Sequence, residues 1–151
     1  MDGRQNGWMD VGIFQPQYED RAEYFRKCGL YRAAAKKFLT YGELLGPVEP
    51  DQPVPTFQED DGHGLVPSAQ GRLWRSEDGH LGVIMANYSD EPVIFPFHLD
   101  LAERGLNPGR YGLAEIEPSG TTRLAAGVGV LRRQQRLSPG QIVLLEITPE
   151  S

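Results

Sequence analysis

Apolar and polar positions sort most clearly between Leu81 and Leu99. In the run from Leu81 to Tyr88, Leu81, Val83 and Met85 fall on one face of an extended chain, and Ile84 and Ala86 fall on the other. A strand apolar on both faces belongs inside a packed structure, not at its rim. After the turn Ser89-Asp90-Glu91-Pro92, the residues Val93, Phe95, Phe97 and Leu99 recur at period two and predict a strand with one buried face. Pro96 has no amide hydrogen to donate, so this strand lies at an edge or is bulged.

The same pattern continues to the end of the chain. Strands are predicted over 72–77, 81–88, 93–99, 110–117, 122–126, 128–133 and 141–148. They are separated by Asp78-Gly79, read as a two-residue hairpin turn, and by Asn107-Pro108-Gly109, Pro118-Ser119-Gly120 and Ser138-Pro139-Gly140. In the last strand Val143, Leu145 and Ile147 share one face, and Ile142 and Leu144 share the other. The fold class is therefore mainly β, an antiparallel sandwich of seven or eight strands preceded by a helical segment.

The pattern before residue 65 differs. Residues 16–45 read as helix. Pro16 fits the first turn, and Glu19 and Asp20 sit where the helix dipole favours negative charge. Glu23 and Lys27 stand at i,i+4, and Gly29 is either a C-cap or an internal glycine. The stripe Leu30, Tyr31, Ala34, Ala35, Phe38, Leu39, Tyr41 and Leu45 has helical spacing, Arg32, Lys36 and Lys37 take the other face, and Gly46-Pro47 stops the helix. Trp8, Val11, Ile13 and Phe14 make the first residues read as an arm that docks. Between 47 and 64, four prolines and five carboxylates without a basic residue read as an extended connector. The chain thus divides into 1–46 (arm and helical segment), 47–64 (Pro-rich acidic linker) and 65–151 (β-sandwich domain).

Composition narrows the function. With 151 residues, 18 Gly and 12 Pro the chain suits one turn-rich domain with an appendage, and a net charge of −6 argues against a nucleic-acid partner. The single cysteine, Cys28, excludes an internal disulfide and a cysteine-based zinc site. It reads as a buried, inert thiol. No signal peptide or membrane-spanning run is visible, which makes a cytoplasmic location the default.

Candidate chemistry is sparse. Glu59, Asp60, Asp61 and His63 form the most site-like cluster, and Asp60, Asp61 and His63 are weak candidates for a hard cation. The spacing is not that of a calcium loop, so a solvated turn is the favoured reading. His80 and His98 have no partner at ligand spacing and read as structural. Trp74, Tyr88 and Tyr111 offer rings for sugar stacking, against a reading in which all three belong to the core. Nothing in the sequence calls for a cofactor.

Two segments carry a family resemblance. One is the run from Tyr31 to Pro47. The other is Gly82 to Asp90, closed by Leu137 to Ile147. Val83, Asn87 and Ser89 match one strand motif; Leu137, Pro139, Val143 and Glu146 match another. Over about 18 to 148 the chain resembles the C-terminal region of glycoside-hydrolase-like proteins, in which a last barrel helix leads through a linker into a β-sandwich. The resemblance implies a non-catalytic accessory domain that braces a barrel and assists carbohydrate binding. It puts the catalytic carboxylate pair, roughly 5–9.5 Å apart, on barrel strands N-terminal to this sequence. No catalytic residue carries over, so the chain by itself leans away from being an enzyme. The rival reading is a free-standing carbohydrate-binding or protein-interaction module, and a small enzyme built on 59–63 is a third. The wide helical stripe predicts a partner, either a barrel domain or a second copy meeting through residues about 8–45.

Overall fold

The computed structural model describes residues 16, 19–58, 64–106 and 110–150. The N-terminal arm with Trp8 and Phe14, the 59–63 cluster and the turn at 107–109 lie outside the described residues. Helix α1 spans Glu19–Ala34 and α2 spans Lys36–Leu39. The strands are β1 (Glu43–Val48), β2 (Thr56–Gln58), β3 (Leu65–Pro67), β4 (Ala69–Arg75), β5 (Leu81–Asn87), β6 (Val93–Asp100), β7 (Arg110–Glu117), β8 (Gly120–Val128), β9 (Val130–Leu137) and β10 (Ile142–Glu150). The protein is mainly β and antiparallel throughout. The seven strands read from the C-terminal part are β4 to β10, and β1, β2 and β3 add to them.

Six strands form one sheet in the order β1-β4-β5-β10-β7-β8; β6 and β9 form a two-stranded ribbon, and β2 and β3 a small hairpin. The central pair β5 and β10 is apolar on both faces, so both faces need a cover. Leu81, Val83 and Met85 of β5, with Val143, Leu145 and Ile147 of β10, join Val93, Phe95, Phe97 and Leu99 of β6 and Leu131 and Leu137 of β9 in one core. The ribbon thus closes a sandwich over that face. On the opposite face Ala35, Phe38, Ile116 and Leu144 form a second cluster, with Leu39, Trp74 and Ile84 against it. The result is three layers: helices, a six-stranded sheet and a ribbon.

The chain changes layers where its residues permit. Between β8 and β9 it leaves the sheet for the ribbon at Gly129, whose φ of +69° is a conformation that glycine adopts at little cost. Pro96 sits in β6, which among the described residues pairs with β9 alone, and its carbonyl accepts from the Asp51 amide at 2.7 Å. The edge position expected for this proline is therefore found.

The helical reading of 16–45 needs correction. The helices end at Leu39, and residues 43–48 pair with β4 as an edge strand. Tyr41 and Leu45 extend a helical spacing in sequence only. Gly42 explains the break, because a Cβ there would lie 2.6 Å from the Phe38 carbonyl oxygen and 2.7 Å from that of Arg75. Gly46-Pro47, expected to stop a helix, instead lies at an irregularity in β1, where the register shifts between Leu44 and Gly46. An edge strand tolerates that bulge and Pro47. Strand β1 also crosses position 46, where the sequence reading ends the helical segment. Gly29 is internal to α1. Glu23 pairs with Arg26, at 2.6 Å, and not with Lys27, whose ammonium donates to the Gly140 carbonyl at 2.7 Å.

The turn at Asp78-Gly79 is longer than predicted. Arg75 pairs with Leu81, and the Ser76 amide donates to the His80 carbonyl at 3.0 Å, closing a three-residue connection over Glu77, Asp78 and Gly79. The positive φ expected at Gly79 is present, at +81°. Three-residue hairpins take a left-handed residue at this place.

Replacing Gly79 by Val should cost about 1–3 kcal/mol through backbone strain alone, because no atom crowds the site. Gly82 fails differently. A Cβ there would stand 2.8 Å from Cγ and Cδ1 of Phe38, so Gly82→Ala should displace that ring at a cost of about 1–3 kcal/mol. Denaturant midpoints measure both. An unchanged midpoint for Gly82→Ala would contradict the seating of α2 on β5.

Candidate functional site

The structure does not bring the three aromatic candidates together. Tyr111 is buried in the core between sheet and ribbon, with its hydroxyl over Gly127. Trp74 is half-buried and packs with the cluster on the helical side of the sheet. Tyr88 is exposed, at the end of β5 near Tyr24. Burial, with the neighbouring Cys28, pushes the Tyr24 hydroxyl up to about 12. Cys28 itself is half-buried on α1, not fully enclosed as the sequence suggests.

The motif residue Asn87 has a structural task. It is 1% exposed. Its amide nitrogen donates to the carbonyls of Glu91 (2.7 Å), Ser138 (3.1 Å) and Leu137 (3.2 Å), and its oxygen accepts from the Ser89 amide (2.9 Å) and hydroxyl (2.8 Å). One side chain therefore ties the β5–β6 turn to the β9–β10 turn. A buried amide so fully satisfied holds a turn and offers nothing to a ligand.

The densest polar constellation lies where α2 meets the sheet. Lys37 reaches from α2 to Glu146 on β10, and its ammonium also contacts Nδ1 of His80 at 2.9 Å and Oδ2 of Asp78 at 3.2 Å. Nδ1 of His80 stands 2.7 Å from Oε1 of Glu146. With Nδ1 unprotonated, Lys37 donates to it; with Nδ1 protonated, the ring donates to Glu146. Ser76 donates to Asp78. That bond above all, with Lys37 and the His80 amide and charge, holds the Asp78 carboxyl down at about 2, against a smaller opposing effect of burial. A shallow depression of ≈ 190 Å³ beside it is lined by Lys37, Tyr41, Ser76, Glu77 and Asp78. The members satisfy one another, so the cluster works as a clasp between α2 and the sheet.

Sequence reasoning missed this cluster for a plain reason. Lys37 reads as a solvated charge on a helix, His80 and Glu146 stand 66 positions apart, and only sheet pairing brings them together. Asp78 carries a turn signal that conceals its second role. Among the described residues no group of three His, Cys, Asp or Glu side chains is placed to hold a metal ion. No described helix is long and apolar enough to cross a membrane.

Two further depressions flank the connector. One, of ≈ 360 Å³, has mainly apolar walls that include Pro47, Pro50, Pro53, Val54 and Phe95. The other, of ≈ 270 Å³, lies against the ribbon and is lined by Asp51, Gln52, Pro96, Phe97, Arg132, Arg133 and Gln134. At its border His98 meets Asp51, Nδ1 to Oδ1, at 2.5 Å. Both histidines thus take carboxylate partners distant in sequence.

No family model matches the chain, and no curated protein matches it. Among solved structures the chain is similar to a GH27 β-L-arabinopyranosidase from Geobacillus stearothermophilus, at 15% identity and a TM-score of 0.39. The similarity covers 69% of this chain and 20% of that one, so the chain spans about a fifth of that enzyme's length. A likeness at this level does not carry the enzyme's activity to this chain.

The clasp makes a prediction in acid. Asp78 has a folded-state pKa below its ordinary 3.8, so its stabilisation is present above 3.8 and is lost as pH falls through about 2. Because the side chain is half exposed, solvent screening reduces the size of the effect. Asp78→Asn should flatten the loss of stability between pH 3.8 and about 2, read from melting temperatures. Glu146 is far less exposed, and Glu146→Ala leaves Lys37 and His80 without their shared acceptor. It should cost about 1–3 kcal/mol at neutral pH. A Glu146→Ala protein with the parent's stability would show that the clasp holds nothing.

Proposed function

We propose that this chain is a non-catalytic accessory β-sandwich domain of the kind that follows the barrel in glycoside hydrolases. In this reading its helical layer braces a barrel, and its sandwich assists in binding carbohydrate. One observation carries the reading. The helices cover the sheet incompletely from their own side: no residue of α1 is buried, while Ala35 and Phe38 just after it are fully enclosed. Tyr24, Phe25, Leu30 and Tyr41 remain outward, each 40–65% exposed. Large apolar side chains left outward in one layer mark an interface. An accessory domain whose helix lies between barrel and sandwich requires such a layer. The strand motifs around Asn87 and Leu137 add support, since they describe how the sandwich is held together and not how a substrate is held.

Sequencing the gene upstream of the Met1 codon tests this reading. Continuous coding sequence with βα periodicity is the expected result, and a ribosome-binding site at Met1 would favour the free-standing module instead. Without a barrel, the outward helical face should meet a second copy, and light scattering should show a dimer. Phe38 is enclosed against its own sheet, so Phe38→Glu would unfold the helical layer. The informative change is the pair Tyr24→Glu and Leu30→Glu, which should disperse the dimer and leave the melting temperature near that of the parent.

The purified chain should hydrolyse no aryl glycoside. Turnover abolished by changing Asp60 or Asp61 would overturn the non-catalytic reading.

A further inference from the structure

The charge of this protein is unevenly placed. Its net charge is −6, yet residues 118–145 hold four arginines and no carboxylate. Three of them, Arg132, Arg133 and Arg136, lie on β9. The burial pattern of β9 alternates, with Leu131 and Leu137 inward and Arg132, Gln134 and Arg136 exposed on the outer face. Arg133 is half-buried and donates to Gln135 at 2.7 Å. Arg132 and Arg136 form no ion pair or side-chain hydrogen bond among the described residues. Across the ribbon, Arg132 pairs with His98, Gln134 with Pro96 and Arg136 with Ile94. The depression of ≈ 270 Å³ is lined by Arg132 and Gln134 of this face together with Asp51 and Gln52.

We infer that the outer face of the β6–β9 ribbon binds an acidic polysaccharide, one whose sugars carry carboxylates. The inference rests on the carbohydrate-binding part of the proposed function and not on the bracing of a barrel. The face presents cation, amide and cation at alternate positions of one strand, so the backbone positions of the two arginines stand roughly 13 Å apart along it. Guanidinium groups grip carboxylates through paired hydrogen bonds. The amides of Gln134 and Gln52, able both to donate and to accept, suit the hydroxyls between acidic groups. A neutral glycan would leave the guanidiniums unmatched. A nucleic acid presents a much denser line of charge than these two arginines answer. The face is open and its partners exposed, so each contact is weak, and binding grows with the number of acidic sugars engaged.

Affinity electrophoresis of the full chain through gels containing polygalacturonate tests the inference, with dextran as the neutral counterpart. Polygalacturonate should retard the protein and dextran should not, and added salt should relieve the retardation. Arg132→Gln with Arg136→Gln should weaken binding about tenfold or more, while the melting temperature stays near the parent's because both side chains are exposed. The pair Arg32→Gln with Lys36→Gln removes the same charge from the helical layer and should leave retardation unchanged. No retardation at low salt, or equal losses from the two double variants, overturns the inference. So does equal retardation of the parent by DNA, since that would reveal charge attraction without selection. None of these outcomes touches the upstream coding sequence, which tests the accessory-domain reading separately.

Discussion

Two central strands that are apolar on both faces impose the main constraint on this molecule. β5 and β10 form the middle of the six-stranded sheet, and neither face of the pair tolerates water. One face is covered by the ribbon through Phe95 and Phe97, and the other by Phe38, seated on Gly82. Fully burying one such ring contributes about 1.5–3 kcal/mol. The missing side chain at Gly82 is what lets the ring approach the backbone. Without that contact the helical layer has little to hold it, because α1 contributes no buried residue of its own.

The polar contacts reinforce the same seam. Lys37 is adjacent to Phe38, and its ammonium enters the clasp formed with Asp78, His80 and Glu146. The apolar anchor and the ionic clasp therefore act through one turn of helix. On the far side of the sheet Asn87 performs a comparable task without charge, joining two turns from opposite ends of the sequence. Both devices serve cohesion. The ribbon's outer face differs from both, since among the described residues Arg132 and Arg136 form no ion pair.

Much of the fold is legible in the sequence because sheet faces obey a period of two. The alternation in β6, the two-sided apolar character of β5 and β10, the edge position of Pro96 and the left-handed Gly79 are all local properties. Local properties survive translation from sequence to structure. The expectation of helix beyond Leu39 fails for the same reason. Tyr41 and Leu45 continue a helical spacing by coincidence, whereas the chain turns because Gly42 must pass between two carbonyl oxygens. One of those oxygens belongs to Arg75, on a strand not yet made at that point in the sequence.

Charge partners were not legible. A lysine on a helix, a histidine after a hairpin and a glutamate in the last strand give no sign of one another until β5 and β10 pair and α2 settles over them. Nor does sequence tell an aromatic residue between the sheets, such as Tyr111, from one at a strand end, such as Tyr88. By itself the sequence determined the strands from β4 onward and which face of each is apolar, since these follow from backbone geometry and side-chain period. Tertiary structure alone decided which apolar face meets which layer and which charges neutralise each other. Those outcomes depend on distances between segments that the chain brings together only when it folds.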